Sequence, residues 1–145
     1  MSTRMSQPER EEFLAGVHVA VLSVAAGGNR GPLMVPVWYS YQPGGVISVS
    51  TDRDSRKARA VAAAGRLSLC AQDESPPYKY VTIEGPAVIE EITPGERREL
   101  ARRYLGREEG DEYIDSIPDS DEVAIRITPE RWLSVDFGKE GQEEG

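Results

Sequence analysis

Four cations, Arg53, Arg56, Lys57 and Arg59, crowd into the stretch VSTDRDSRKARAV (residues 49–61), and hydroxyls at Ser50, Thr51 and Ser55 are interleaved with them. The chain around them is acidic, with 17 Lys and Arg against 25 Asp and Glu and a formal net charge of −8. Hydroxyls and cations at the start of a helical pattern form a donor set for an anion such as a phosphate. Guanidinium and ammonium groups make charge-assisted hydrogen bonds, and the free N–H groups and dipole of a helix start favour negative charge. Ser55, Arg56 and Lys57 are the centre of this candidate site. Arg53, between Asp52 and Asp54, reads as a surface residue. Arg59, opposite the Ala58/Val61 stripe, fits either a solvated helix face or a ligand contact.

Few other sets of reactive residues are present. One His and one Cys cannot build a histidine zinc site, a CxxC pair or a four-thiolate cluster, and no GxSxG, GxGxxG or GxxxxGK[ST] occurs. His18 reads as an ordinary barrel residue and Cys70 as a small buried hydrophobe. The carboxylates of residues 108–122 lack the mid-loop glycine of a calcium loop and read as a solvated face; no metal is expected. Catalysis, if present, then falls to a bound cofactor, and no catalytic side chain is assigned.

Charge and length narrow the partners. Residues 1–72 carry eight Lys or Arg against five Asp or Glu, whereas residues 73–145 carry nine against twenty. The opening cluster is therefore a local positive island in a field that repels nucleic acid. The longest apolar run, residues 17–26, is far shorter than the roughly 20 residues of a membrane span. With no basic and apolar leader and a single Cys, the expected address is cytoplasmic. One domain over residues 1–145 is expected, ordered over about 8–138, with a flexible tail at 139–145.

These residues need elements to hold them. PEREEFLAG reads as a short helix ending at Gly16, and HVAVLSVA as a strand. After the turn GGNRGP (27–32), LMVPVWYSY (33–41) reads as a second strand despite Pro36, and VISVST (46–51) as a third with strict alternation. Residues 54–64 switch to helical spacing, capped by Asp54 or Ser55 and ended by Gly65. RLSLCAQ (66–72) is a fourth strand and residues 78–92 a long fifth, with a bulge or bend at Gly85-Pro86. TPGERRELARRYLG is a capped helix, and EEGDEYIDSIPD is helical or irregular. Residues 122–137 form a sixth strand, broken near Pro129. Many strands with few helices between them predict a mainly β fold, an antiparallel barrel.

VSTDRDSRKARAV resembles the strand and helix start of the pyridoxamine 5′-phosphate oxidase-like split β-barrels, which bind FMN or the deazaflavin F420. Thr51, Ser55, Arg56 and Lys57 match that family's phosphate contacts. YVTIEGPA (80–87) is similar to its V-R-V-E-G segment and TPERWLSVDFG (128–138) to its closing P-x-R-x-x-x-W strand. The resemblance implies a six-stranded split barrel, a homodimer with two cofactors between the subunits, and a small-molecule substrate. It places the ring against Met34, Val35, Pro36, Val37 and Trp38, where Pro36 leaves a strand position open; Trp38 fits barrel core equally well. It brings Lys79, Tyr80 and Trp132 to the cofactor from the partner subunit. Two departures stand out: Leu33 occupies the place of a ring-strand Arg, and the tail GKEGQEEG lacks an Arg-x-His motif. The resemblance therefore points away from vitamin B6 oxidation and toward an F420-dependent oxidoreductase, with FMN as the alternative, and lets Arg53 or Arg59 meet the carboxylates of the F420 tail. A non-catalytic flavin or haem carrier and an acidic interaction module are the competing readings.

Overall fold

Ser6 opens the first helix with a reciprocal cap: its Oγ accepts from Glu9 N at 3.3 Å, and Glu9 Oε1 accepts from Ser6 N at 2.8 Å. A computed structural model describes residues 2–117 and 121–142. In chain order the elements are α1 (Gln7–Ala15), β1 (Ala20–Val24), β2 (Leu33–Val37), β3 (Ser40–Tyr41), β4 (Ile47–Asp52), α2 (Arg56–Ala64), β5 (Arg66–Asp73) and β6 (Lys79–Glu91). Then come α3 (Pro94–Leu105), α4 (Arg107–Ser116), β7 (Glu122–Ile127), β8 (Arg131–Asp136) and a 3₁₀ turn (Phe137–Gln142).

All strand pairs are antiparallel, in the order β2-β1-β5-β6-β7-β4-β3, with β8 beside β6. Strand β6 joins two sheets because it changes partners along its length: residues 79–84 face β8 and residues 87–91 face β7. Between those stretches, residues 128–130 oppose only Gly85 and Pro86, so the bulge expected at Gly85-Pro86 falls on the partner strand. Gly85 is required there, since a Cβ would lie 1.8 Å from the Thr128 carbonyl oxygen. The Thr128 N–H in turn donates to Pro86 O at 3.0 Å. The sheet curls around alternating inward residues, among them Leu22, Ile47, Val49, Leu69, Ile83 and Ile125, all buried. The protein is a mainly β split barrel with flanking helices.

The six expected strands are present, two of them divided. Residues 33–41 break at Trp38, because Tyr39 leaves the ladder: its N–H donates to Tyr104 Oη at 3.0 Å and its hydroxyl to Leu14 O at 2.6 Å. Residues 122–137 divide at Pro129, which has no N–H to give. The acidic segment is helical as far as Ser116, as α4, and forms a hairpin with α3; its residues 118–119 lie outside the described residues. Gly110 lets the two helices approach, since a Cβ there would sit 2.7 Å from Arg102 N. On either side of residues 8–138 the chain makes further contacts. Met5 is buried, with its N–H bonded to Ser134 Oγ at 3.1 Å. At the other end residues 139–142 belong to the 3₁₀ turn, and Lys139 Nζ reaches Glu9 Oε1 at 2.8 Å; residues 143–145 of the expected flexible tail lie outside the described residues. Among the described residues no helix is long and apolar enough to cross a membrane.

Candidate cofactor-binding site

Strand β4 buries Ile47, Val49 and Thr51 on one face and leaves Ser48 and Ser50 half-buried on the other. The chain turns through Asp52, whose carbonyl accepts from Ser55 N at 3.0 Å. Ser55 caps α2: its Oγ accepts from Ala58 N at 3.1 Å and from Thr51 Oγ1 at 3.0 Å, and its carbonyl accepts from Arg59 N at 3.1 Å. These bonds leave the amides of Arg56 and Lys57 as the free donors of the first turn. Helices α1 and α3 place an acid in that turn, Glu9 and Glu96, but α2 has none and begins with two cations. Cations at a helix N-terminus oppose the dipole. Among the described residues, moreover, no carboxylate forms an ion pair with Arg56, Lys57 or Arg59. Positive charge is concentrated there without an ion-pair partner among the described residues. Arg53 is different. It holds Glu91 at 2.7 Å and Asp121 at 2.9 Å, and so is not free for the carboxylates of a ligand tail, contrary to one of the sequence expectations.

Next to this helix start lies a cavity of about 350 Å³. It brings together Pro36, Val37, Trp38, Ser50 and Lys57 from the expected set, and Val19, Arg97, Leu100, Tyr113, Ile114 and Glu122, which the sequence reading missed. Trp38 is not core: it is half-buried, stacks on Tyr104 at 4.9 Å and 5°, and has Tyr113 at 6.0 Å. Behind it Tyr104 donates to His18 O at 2.6 Å, and burial raises its pKa, so the wall is held by a neutral phenol. Pro36 lies on β2, an edge strand paired only with β1, as its missing N–H requires. Glu122 accepts from Ser50 Oγ at 2.8 Å and forms an ion pair with Arg97. Arg97 is mostly buried, and its Nη2 has no hydrogen-bond partner among the described residues.

The other expected residues lie elsewhere. Thr51, Ser55 and Arg56 do not line the cavity: Thr51 is buried on the inner face of β4 and donates to Ser55 Oγ, Arg56 is exposed beside Lys57 in the chain, and Arg59 is exposed further along α2. Met34 points outward and is 63% exposed, while Val35 packs against the core. Within one chain Lys79 sits near Phe13, 6.0 Å from its ring centre, Tyr80 pairs across the sheet with Gln72 and Val135, and Trp132 lies under Arg10 at 4.7 Å. None of the three lines the cavity. His18 stacks on Phe13 at 4.4 Å with Nε2 3.0 Å from Phe13 O, and burial lowers its pKa. Cys70 is a free, half-buried thiol. No group of His, Cys, Asp and Glu suited to a metal occurs among the described residues.

The donor set fits a planar ligand with a phosphate. Free helix amides and unpaired Arg56 and Lys57 suit the anion. The apolar and aromatic wall at Pro36–Trp38 suits a ring, and the orphaned Arg97 Nη2 needs an acceptor. A volume of about 350 Å³ is in the range of small-molecule pockets.

Comparison with known proteins agrees with this architecture. A solved structure of a conserved hypothetical protein from Mycobacterium tuberculosis superposes with a TM-score of 0.76 at 26% identity, over 95% of this chain and 89% of that one. An F420 reductase gives 0.67 at 19% identity, over 85% and 94%. An FAD-binding protein from Mesorhizobium loti gives 0.64 at 19% identity, over 90% and 94%. A search of curated proteins found no match. The family model described as pyridoxamine 5′-phosphate oxidase matches residues 6–136, nearly the whole of the split barrel together with the helix start and cavity described above, and this chain belongs to that family.

Proposed function

We propose that the protein is an oxidoreductase that binds F420, with FMN as the alternative, and moves a hydride between this cofactor and a small organic acceptor. The observation that carries the reading is the meeting of Lys57, at an anion-ready helix start, with Pro36, Val37 and Trp38 in one cavity. When bound, the ring supplies the hydride chemistry that the side chains around the cavity lack. Arg56 and Lys57 neutralise the phosphate, Val37 and Trp38 offer the ring a flat wall, and α3 and α4 limit the access of water. Leu33 is apolar and packs toward the core, which leaves β2 without a cation for the ring. Arg59, exposed and without an ion pair among the described residues, is available to the carboxylates of the F420 tail. The fold shared with an F420 reductase and an FAD-binding protein supports a ring cofactor of this kind.

The same reading makes the protein a homodimer. Pro36, Val21, Cys70, Thr82 and Leu133 form one row across the outer sheet face by strand register, with no charge among them. Val21 and Leu133 are 36% and 58% exposed. An uncharged, partly apolar row of this sort suits an isologous interface. Lys79, Tyr80 and Trp132, outside the cavity of their own chain, would serve a cofactor held by the partner. Light scattering should give about twice 16.0 kDa; a monomer that binds cofactor tightly contradicts the shared site.

Titration of the purified protein with F420, FMN and haem tests the assignment. F420 should bind most tightly. FMN copurifying in stoichiometric amount moves the assignment to the flavin, and binding without turnover of any acceptor makes the protein a carrier.

A further inference from the structure

We propose that Arg97, tethered by Glu122 on the wall of the cavity, is a second cation of the site, which binds the carbonyl edge of the ring and favours its reduced state. This inference rests on the reading that the cavity holds a flavin or deazaflavin. Arg97 is the least satisfied of the described arginines of its helix: both its Nε and its Nη2 are buried without a hydrogen-bond partner among the described residues, whereas Arg103 lacks one only at Nε and donates from Nη2 to Ala15 O and Gly16 O. Arg98 and Arg102 make well-formed hydrogen bonds to Asp111. Arg97 has Glu122 beside its Nε, but off the direction of a hydrogen bond, and its Nη2 is buried with no acceptor among the described residues. Its side chain is only 15% exposed, so water does little to satisfy it. A buried charged donor left in this condition is costly, and here it lies in the wall of a cavity able to supply the missing acceptor.

The chemistry of the acceptor follows from what shares the cavity. Lys57 and Arg97 against Glu122 leave one net positive charge. The phosphate belongs with Lys57 at the helix start. A ring on the Pro36–Trp38 wall presents an edge of two carbonyl oxygens and an imide, and that edge gains negative charge when the ring is reduced. A cation close by in a site of low dielectric stabilises the more negative state more strongly. Leu33 puts no cation on β2, so α3 supplies it. Glu122 limits the effect, because it already neutralises part of the Arg97 charge while accepting from Ser50.

The test measures the affinity of the folded protein for FMN and for F420, each oxidised and reduced, in four proteins. Arg97→Met should weaken binding of the reduced ring about tenfold more than that of the oxidised ring, a fall of about 30 mV in the two-electron potential of the bound cofactor. Glu122→Gln, which keeps an acceptor for Ser50, should move the ratio the opposite way. Opposite signs distinguish charge from damage, since a merely structural role shifts both variants in one direction or neither. Lys57→Ala should weaken both redox forms to a similar degree, because the phosphate charge does not follow the state of the ring. If the wild type binds neither ring, or Lys57→Ala binds as the wild type does, the cofactor reading fails and this inference with it. If Lys57→Ala weakens binding but Arg97→Met leaves the ratio unchanged, the role of Arg97 alone is overturned. Should Arg97→Met not fold, Glu122→Gln decides: a ratio equal to or below that of the wild type overturns the proposal.

Discussion

Two basic regions of this acidic protein put the same residue types to different uses. In the α3–α4 hairpin arginines meet carboxylates of the same chain. Arg98 reaches Asp111 at 3.0 Å and Asp115 at 2.7 Å, and Arg102 reaches Asp111 at 2.7 Å and Glu99 at 3.0 Å. Arg102 and Arg103 also occupy the last turn of α3, the end of a helix that favours cations. At the start of α2, Arg56 and Lys57 sit at the end that disfavours them, with no ion pair among the described residues. In the richer basic stretch, ERRELARRYLGR, Arg98 and Arg102 serve as internal mortar, whereas the cations of the shorter SRKAR have no ion pair among the described residues. The number of cations in a segment says little about binding; what matters is whether the fold supplies their counter-ions.

Separate effects on affinity and stability would sharpen this contrast. The largest is expected for Lys57→Ala, which should cost about 1.5–3 kcal/mol of cofactor affinity, the range for hydrogen bonds to charged groups, with the melting temperature unchanged. An unchanged affinity in the folded variant would dissolve the distinction between the regions. Gly110→Ala should act in the reverse sense. The added Cβ meets the backbone of Arg102 at 2.7 and 2.8 Å, so the helices must part. Overpacking of this kind costs about 1–3 kcal/mol, less up to about 1 kcal/mol returned by helix propensity, and thermal melts would read it.

Acid should loosen the hairpin, because its arginines are held by ionised carboxylates. Arg102, then Arg98, holds the Asp111 carboxyl down to about 2 from 3.8. A depressed folded-state pKa contributes stability that is fully present above 3.8 and is lost as pH falls toward 2. Helical circular dichroism should therefore decline between about pH 4 and 2, and the decline should shrink in Asp111→Asn; the same acid transition in both proteins would place the labile carboxylate elsewhere. The smallest effect is expected at Arg59. Arg59→Ala should weaken F420 binding a few-fold at low salt and leave FMN binding unchanged, with the difference fading as ions screen contacts over about 8 Å at physiological ionic strength. Paired fluorescence titrations at two salt concentrations measure it, and an equal loss for both ligands would remove Arg59 from the tail.

Much of the frame of the site was legible in the sequence because local physics decides it. Ser55 caps α2 and Gly65 ends it at φ +71 because the first has a hydroxyl to accept a helix amide and the second has no Cβ to clash. Ile47, Val49 and Thr51 turn inward because successive side chains of a strand alternate. Pro36 lies at a sheet edge because it has no N–H to give. Each rule acts within a few residues. The sequence left Trp38 open between ring pocket and barrel core, and its stack on Tyr104, the charged pair of Arg97 and Glu122 and the neutralisation of Arg53 were not legible. Arg53 meets Glu91 and Asp121 from 38 and 68 residues away in sequence, and Trp38 stacks on a tyrosine of α3. Only the tertiary structure decided these, since Coulomb attraction and stacking depend on separation in space, which the order of residues along the chain does not contain.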